Sequence, residues 1–156
     1  MDHKETPEQE LEKRMDSFRR ACKEHGMRVT NQRLEIYKTV ALSKAHPSAE
    51  TVFGFVRKKL PSISLDTVYR TLSSLEEMDI IFRVGLMNKA RFDADKTPHY
   101  HFVCMDCGEV YDIFPNTPEG LPIPHFVQNF GEVKNVNLQF RGICNKCRAK
   151  KRKPRP

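Results

Sequence analysis

Residues 64–78 read SLDTVYRTLSSLEEM, and their spacing predicts a helix with one apolar face. Leu65, Val68, Leu72 and Leu75 recur at intervals of three and four, which puts them on one side. Ser64 begins the helix. Thr67, Arg70, Ser73 and Ser74 fall largely opposite, flanked by Tyr69. That second face is short, polar and singly charged at its centre, the profile of a helix that reads base edges in a DNA groove.

The flanking segments extend this reading. Upstream, a helix is predicted from Leu11 to Cys22, with Leu11, Met15, Phe18 and Cys22 inward and Gly26 as C-cap. Cys22 reads as a buried core thiol. Thr30 caps a second helix, with Leu34, Tyr37, Val40 and Ala41 forming its stripe. This helix breaks at His46-Pro47, because the residue before a proline is pushed out of the helical region. Ser48 caps a third helix with Val52, Phe55, Val56 and Leu60 inward, and Pro61 stops it. Downstream, IIFRV (80–84) and KARFD (89–93) read as two strands joined by GLMN. Four helices closed by a basic hairpin (Arg83, Lys89, Arg91) make a winged helix-turn-helix.

Charge separates the chain into parts. Residues 1–16 carry −3, residues 17–92 carry +7, residues 93–147 carry −3 and residues 148–156 carry +6. A basic segment beside a non-basic one points to a polyanion-binding domain joined to a unit with another task. Of 156 residues, 38% are hydrophobic and 30% charged, which supports a packed core and excludes general disorder. No apolar run reaches the roughly 18 residues of a membrane span. The polar N-terminus lacks an export signal, so a reducing, cytoplasmic setting is expected. The expected organisation is an arm at 1–15, a winged-helix DNA-binding domain at 16–92, a hinge at 93–98, a dimerisation and metal-binding domain at 99–147 and a basic disordered tail at 148–156.

The second half reads as a small α+β unit. HYHFVC (99–104) and GEVYDIF (108–114) are two strands around a tight knuckle, PHFVQNF is a short helix, and residues 132–141 alternate as a third strand. A unit of about 50 residues needs a staple or a partner. Cys104, Cys107, Cys144 and Cys147 form two CxxC pairs, the donor set of a closed tetrahedral zinc site. A redox-active CxxC would need a thioredoxin-like βαβ context, which is absent. His99 and His101 stand two apart on a strand and share a face. Asp93 precedes them, Asp112 lies on the adjacent strand, and His46 sits in the turn after the second helix. Imidazoles with carboxylates and no thiolate suit Fe²⁺, Mn²⁺ or Zn²⁺. Spacing alone does not recruit His46 or Asp93 to that group.

The stretch SLDTVYRTLSSLEEMDII, the turn AHPSAE, and RFD…HYHFVCMDCG…YDI…GICNKC resemble the ferric uptake regulator superfamily across about residues 16–147. The resemblance implies a homodimeric winged-helix repressor, not an enzyme, that binds a palindromic operator when loaded with metal. It assigns one structural Zn²⁺ per subunit to the four paired cysteines. It assigns one regulatory Fe²⁺ or Mn²⁺ per subunit to His46, Asp93, His99, His101 and Asp112. Iron-sensing members carry a glutamate at the position of Asp112 and a further carboxylate where Tyr100 stands. The HYH pattern with two aspartates resembles the peroxide-sensing branch instead. There, iron-catalysed oxidation of a ligand histidine releases the operator, and His46 and His99 match the oxidised positions. The alternative is an iron- or zinc-responsive regulator of metal uptake. On DNA, Thr67, Tyr69 and Arg70 are the expected base-reading residues, with Arg28, Arg33, Lys89 and Arg91 at phosphates or in the minor groove. A non-haem iron oxygenase would leave the basic helical half unexplained, and a zinc-ribbon adaptor would leave the histidines without purpose.

Overall fold

A computed structural model describes residues 7–86, 89–115, 124–133 and 136–152. The chain divides into two compact units, residues 1–95 and 96–156.

The first unit contains four helices and a hairpin: α1 (Pro7–Glu24), α2 (Asn31–Leu42), α3 (Ala49–Lys59), α4 (Leu65–Glu77), β1 (Phe82–Leu86) and β2 (Lys89–Asp93). Thr30, Ser48 and Ser64 are the N-caps of α2, α3 and α4. Their hydroxyls accept from the backbone N–H three residues on, at 3.3, 3.2 and 3.0 Å. The apolar stripes then meet. Met15, Phe18 and Cys22 of α1 pack with Ile36, Tyr37 and Val40 of α2, Val52 and Val56 of α3, and Val68, Leu72 and Leu75 of α4. Phe18 stacks on Tyr37 with centroids 4.5 Å apart and planes at 12°. Phe18→Ala should cost about 3–5 kcal/mol by opening a cavity at this stack, read as a lowered midpoint in chemical denaturation.

Two expectations for this unit need correction, Phe55 as an inward residue and 80–84 as one strand. The arm is helical over 7–15, while 1–6 lie outside the described residues. Tertiary contacts hold that segment. Arg14 donates to the Ala41 carbonyl at 3.2 Å, and the Tyr37 hydroxyl donates to the Arg14 carbonyl at 3.3 Å. Phe55 is 56% exposed, with the Lys58 ammonium 5.5 Å from its ring. Ala49, Val52 and Val56 already fill the buried stripe of α3, and Phe55 lies off it. Ile80 and Ile81 precede the first wing strand and are buried in the helical core.

The hairpin is antiparallel, pairing Phe82 with Asp93 and Leu86 with Lys89. Residues 87–88 lie outside the described set. Gly85 has φ +93, and a Cβ there would meet the Lys89 carbonyl oxygen at 3.0 Å, so this position in β1 requires glycine.

The second unit is α+β. β3 (Tyr100–Cys104) lies between β4 (Val110–Ile113) and β5 (Gln139–Gly142), antiparallel to the first and parallel to the second. A 3₁₀ turn spans His125–Asn129 and a last helix, α5, spans Asn145–Arg152. Among the described residues, the part of the strand expected over 132–141 that pairs with β3 is β5, Gln139–Gly142. The expected disordered tail is helical to Arg152. Its first turn grows from the second cysteine pair, with Arg148 N–H donating to the Cys144 carbonyl at 2.9 Å. Residues 153–156 and the proline-rich stretch 116–123 are outside the described residues. Among the described residues of this unit, the buried apolar side chains are Val103, Cys104, Val110 and Cys144. Phe114, Phe126, Phe130, Val136 and Phe140 are exposed. Among the described residues, no helix is long and apolar enough to cross a membrane.

Candidate metal centres

Strand pairing builds the first centre. Cys104 ends β3 opposite Gly142 of β5, so the knuckle after β3 and the loop after β5 converge. Met105 N–H donates to the Gly142 carbonyl at 2.7 Å and closes that approach. The sulfurs of Cys104, Cys107, Cys144 and Cys147 all lie within 4.8 Å of one another. All four are free thiols. Backbone N–H groups point at two of them, Cys144 N–H to Cys104 Sγ at 3.3 Å and Cys147 N–H to Cys144 Sγ at 3.4 Å. N–H groups of Cys107 and Cys144 hold the Cys104 thiol down at about 6, and that of Cys147 lowers Cys144. Cys147 is pushed up to about 12 by its hydrogen bond with the Cys144 sulfur. Four sulfurs this close cannot all be anionic without a cation. Two ionise readily and a third resists, so the cluster fits a tetrahedral zinc ion.

A second group of donors lies on β3 and β4. The register sets His101 opposite Asp112. His99 Nδ1 lies 2.7 Å from the Thr97 carbonyl. A carbonyl only accepts, so Nδ1 carries the proton and Nε2 keeps its lone pair. That Nε2 is 3.0 Å from His101 Nε2. Asp112 Oδ1 lies 3.7 Å from the first nitrogen and 3.6 Å from the second. Phe114 stacks on the His99 ring at 5.3 Å. Two imidazole nitrogens and a carboxylate oxygen converge around one point, a set that fits Fe²⁺ or Mn²⁺.

The first unit contains a related pair. His46 has φ +47, a left-handed conformation that costs free energy for a residue with a Cβ, most of all before proline. The β2 strand holds it there. Phe92 N–H donates to the Pro47 carbonyl at 3.1 Å, and Arg91 Nη1 donates to the His46 carbonyl at 3.4 Å. The buried His46 ring places Nε2 3.9 Å from Asp93 Oδ2. Asp93 Oδ1 accepts from Asp95 N–H at 2.8 Å, which fixes the carboxylate.

The expected base-reading residues lie along α4. Tyr69 and Arg70 are exposed, and Arg70 stands 3.9 Å from Asp66. The Thr67 hydroxyl is 2.8 Å from the Ser64 cap hydroxyl, which gives it a local structural task. Arg33 donates to the Arg28 carbonyl at 2.7 Å. With Thr30, Gln32 and Arg70 it lines a polar groove of about 270 Å³. Lys89 is exposed on the wing, whereas Arg91 turns back to the His46 carbonyl. Sequence reading missed Glu50, which accepts the Tyr69 hydroxyl across the gap between α3 and α4. No spacing rule links an acid in the first turn of one helix to a tyrosine on the next.

The ferric uptake regulator family model matches residues 24–140. The chain belongs to the ferric uptake regulator family. It is 30% identical over 146 residues to the peroxide-responsive repressor PerR of Staphylococcus epidermidis, covering 92% of this chain and 94% of that protein. It is 32% identical over 130 residues to the peroxide operon regulator of Bacillus subtilis, covering 82% and 89%. The crystal structure of the Vibrio cholerae ferric uptake regulator matches at 29% identity and a TM-score of 0.62, over 81% of this chain and 99% of that one. These relatives place this member of the ferric uptake regulator family in its peroxide-sensing branch. It is a regulator and not an enzyme.

Proposed function

We propose that this protein is a homodimeric, metal-dependent repressor that binds a palindromic operator in the cytoplasm and releases it in response to hydrogen peroxide. The observation that carries the reading is the paired imidazoles of His99 and His101, 3.0 Å apart, beside Asp112. One regulatory Fe²⁺ or Mn²⁺ per subunit takes these three donors together with His46 and Asp93, and one Zn²⁺ takes the four cysteines. Asp93 and His99 are six residues apart, so the first unit and the second contribute ligands across a short link. A shared ion favours one relative orientation of the two units, and whatever favours that form favours metal and operator together. An Fe²⁺ held by these residues would supply the one-electron reduction of peroxide, chemistry for which Mn²⁺ would be the poorer reductant.

The chain's own groups do the rest. The Thr97 carbonyl holds His99 in the tautomer whose Nε2 can coordinate. Strand β2 holds His46 in a conformation it would not adopt alone. Oxidation of either ring removes a nitrogen donor and with it the closed form. Tyr69 and Arg70 face the major groove, with Arg70 suited to guanine and the Tyr69 ring to a thymine methyl. Thr67 assists, and Arg28, Arg33, Lys89 and Arg91 serve the sugar-phosphate backbone or its minor groove. Phe114, Phe126, Phe130 and Phe140, exposed on a unit this small, support burial against a second copy.

The test is brief peroxide exposure of Fe²⁺-loaded and Mn²⁺-loaded protein, followed by peptide mass spectrometry and DNA mobility shift. The expected result is one added oxygen atom on the His46 or His99 peptide and loss of DNA binding, with iron only. Metal-dependent DNA binding that survives peroxide with both peptides unmodified would instead indicate an iron- or zinc-responsive regulator.

A further inference from the structure

The mouth between the start of α3, the outer face of α4 and strand β2 encloses about 450 Å³. Arg83, Lys89 and Arg91 line it, and so does one acid, Glu50. On a face that meets a polyanion, a carboxylate is unfavourable, because it repels any phosphate that approaches. Its retention calls for another task, and its contacts supply one. Glu50 accepts a hydrogen bond from the Tyr69 hydroxyl. Such a bond to an ionised acceptor is stronger than one between neutral groups. It holds the Glu50 carboxyl below its usual range and the Tyr69 phenol above its own. The Arg91 charge favours the carboxylate further, and Arg91 is itself anchored on the His46 carbonyl. Tyr69 is 45% exposed, while its hydroxyl is tied back to α3.

We infer that Glu50 is a positioning residue for sequence recognition: it pins the Tyr69 hydroxyl so that the ring, and not the phenol, meets the base. This rests on the reading above that α4 enters the DNA groove. A pinned phenol offers DNA no donor. What it offers is a fixed apolar edge, which recognises the C5 methyl of thymine. A free tyrosine would sample several rotamers and contact any base through its hydroxyl.

The experiment begins with a duplex selected from a random pool by the Mn²⁺-loaded wild-type protein. Each thymine is then replaced by uracil, which removes only the methyl group, and the dissociation constant is measured. In the wild type, one thymine in each half-site should show a loss of about fourfold, the worth of one buried methyl. Glu50→Ala and Tyr69→Phe should reduce that loss to about none. Glu50→Gln should retain it, because the amide oxygen still accepts the hydroxyl. Thermal midpoints should not move, since the pair is exposed. The inference is overturned if no thymine shows the effect in the wild type, if Glu50→Ala keeps it, or if Glu50→Gln loses it. Failure of the wild type to select any duplex would count against the DNA-binding reading itself.

Discussion

Cys104→Ser should release the zinc and unfold the second unit while the first stays folded. Among its described residues that unit buries only Val103, Val110 and two of the cysteines themselves as apolar side chains. A core of that size does not offset the entropy of ordering a chain of this length. The difference comes from the metal. Structural zinc in small domains binds with about 10–16 kcal/mol of apparent free energy at neutral pH, and that energy is folding energy. Cys104 is the ligand whose loss matters most, because it joins β3 to the Cys144 loop through the Cys144 N–H at 3.3 Å. Serine keeps the size of the side chain but supplies no thiolate. Metal analysis should fall from one zinc per chain to none. Amide-exchange protection should vanish across β3–β5 and persist in α1–α4. Cys22→Ser is the control: that thiol is buried in the helical core, so this variant should lose stability but keep its zinc. Acid should mimic Cys104→Ser. Zinc and protons compete for the Cys104 sulfur, whose thiol ionises at about 6, so affinity should fall steeply as pH drops through that value. A Cys104→Ser protein that retained zinc and protected strands would refute the staple.

Much of this was legible because the signals are local. The caps Thr30, Ser48 and Ser64 are set by a hydroxyl and an N–H three residues away, and each was readable from sequence. The stripe Val68, Leu72, Leu75 is a matter of period. The CxxC pairs state their chemistry by spacing. What could not be read depends on partners distant in sequence. α1 extends back to Pro7 because Arg14 docks on α2, a contact across 27 residues. Phe55 faces outward because smaller residues already fill the stripe, which is a question of volume and not of period. Which residues form β5 is set by their pairing with β3. The likeness of His99 and His101 as neighbours on one face was plain, but the register that sets Asp112 opposite His101 depends on the knuckle geometry. The backbone of His46 was expected in a turn. Its left-handed φ becomes intelligible only with β2 holding Pro47 and Arg91 holding the carbonyl. Glu50 carried no signal at all, since its role exists only once α3 and α4 are packed.

His99→Ala should remove regulatory metal binding and DNA binding while sparing the zinc and the fold. His99 is the most tightly specified ligand of the proposed set: its Nδ1 is committed to the Thr97 carbonyl, and its Nε2 sits 3.0 Å from that of His101. Disturbing only the outer contacts of a metal-bound histidine typically costs about 10–100-fold in affinity. Deleting the ring itself should therefore weaken Mn²⁺ binding by more than about 100-fold, measured by calorimetry on zinc-loaded protein. His46→Ala should do the same from the first unit, if one ion draws on both. That comparison is the sharper one. If His99→Ala abolished Mn²⁺ binding while His46→Ala left it intact, the ion would belong to the second unit alone, and no metal-driven coupling of the units would follow. His125→Ala is the control, since that residue is exposed on the 3₁₀ turn and stands outside both centres. Asp112→Glu adds one methylene at the carboxylate that faces both imidazoles. It should weaken the peroxide response more than repression, because it lengthens one arm of the site without removing a charge. Equal loss of both would mean that Asp112 serves the closed form and not the selectivity of the sensor.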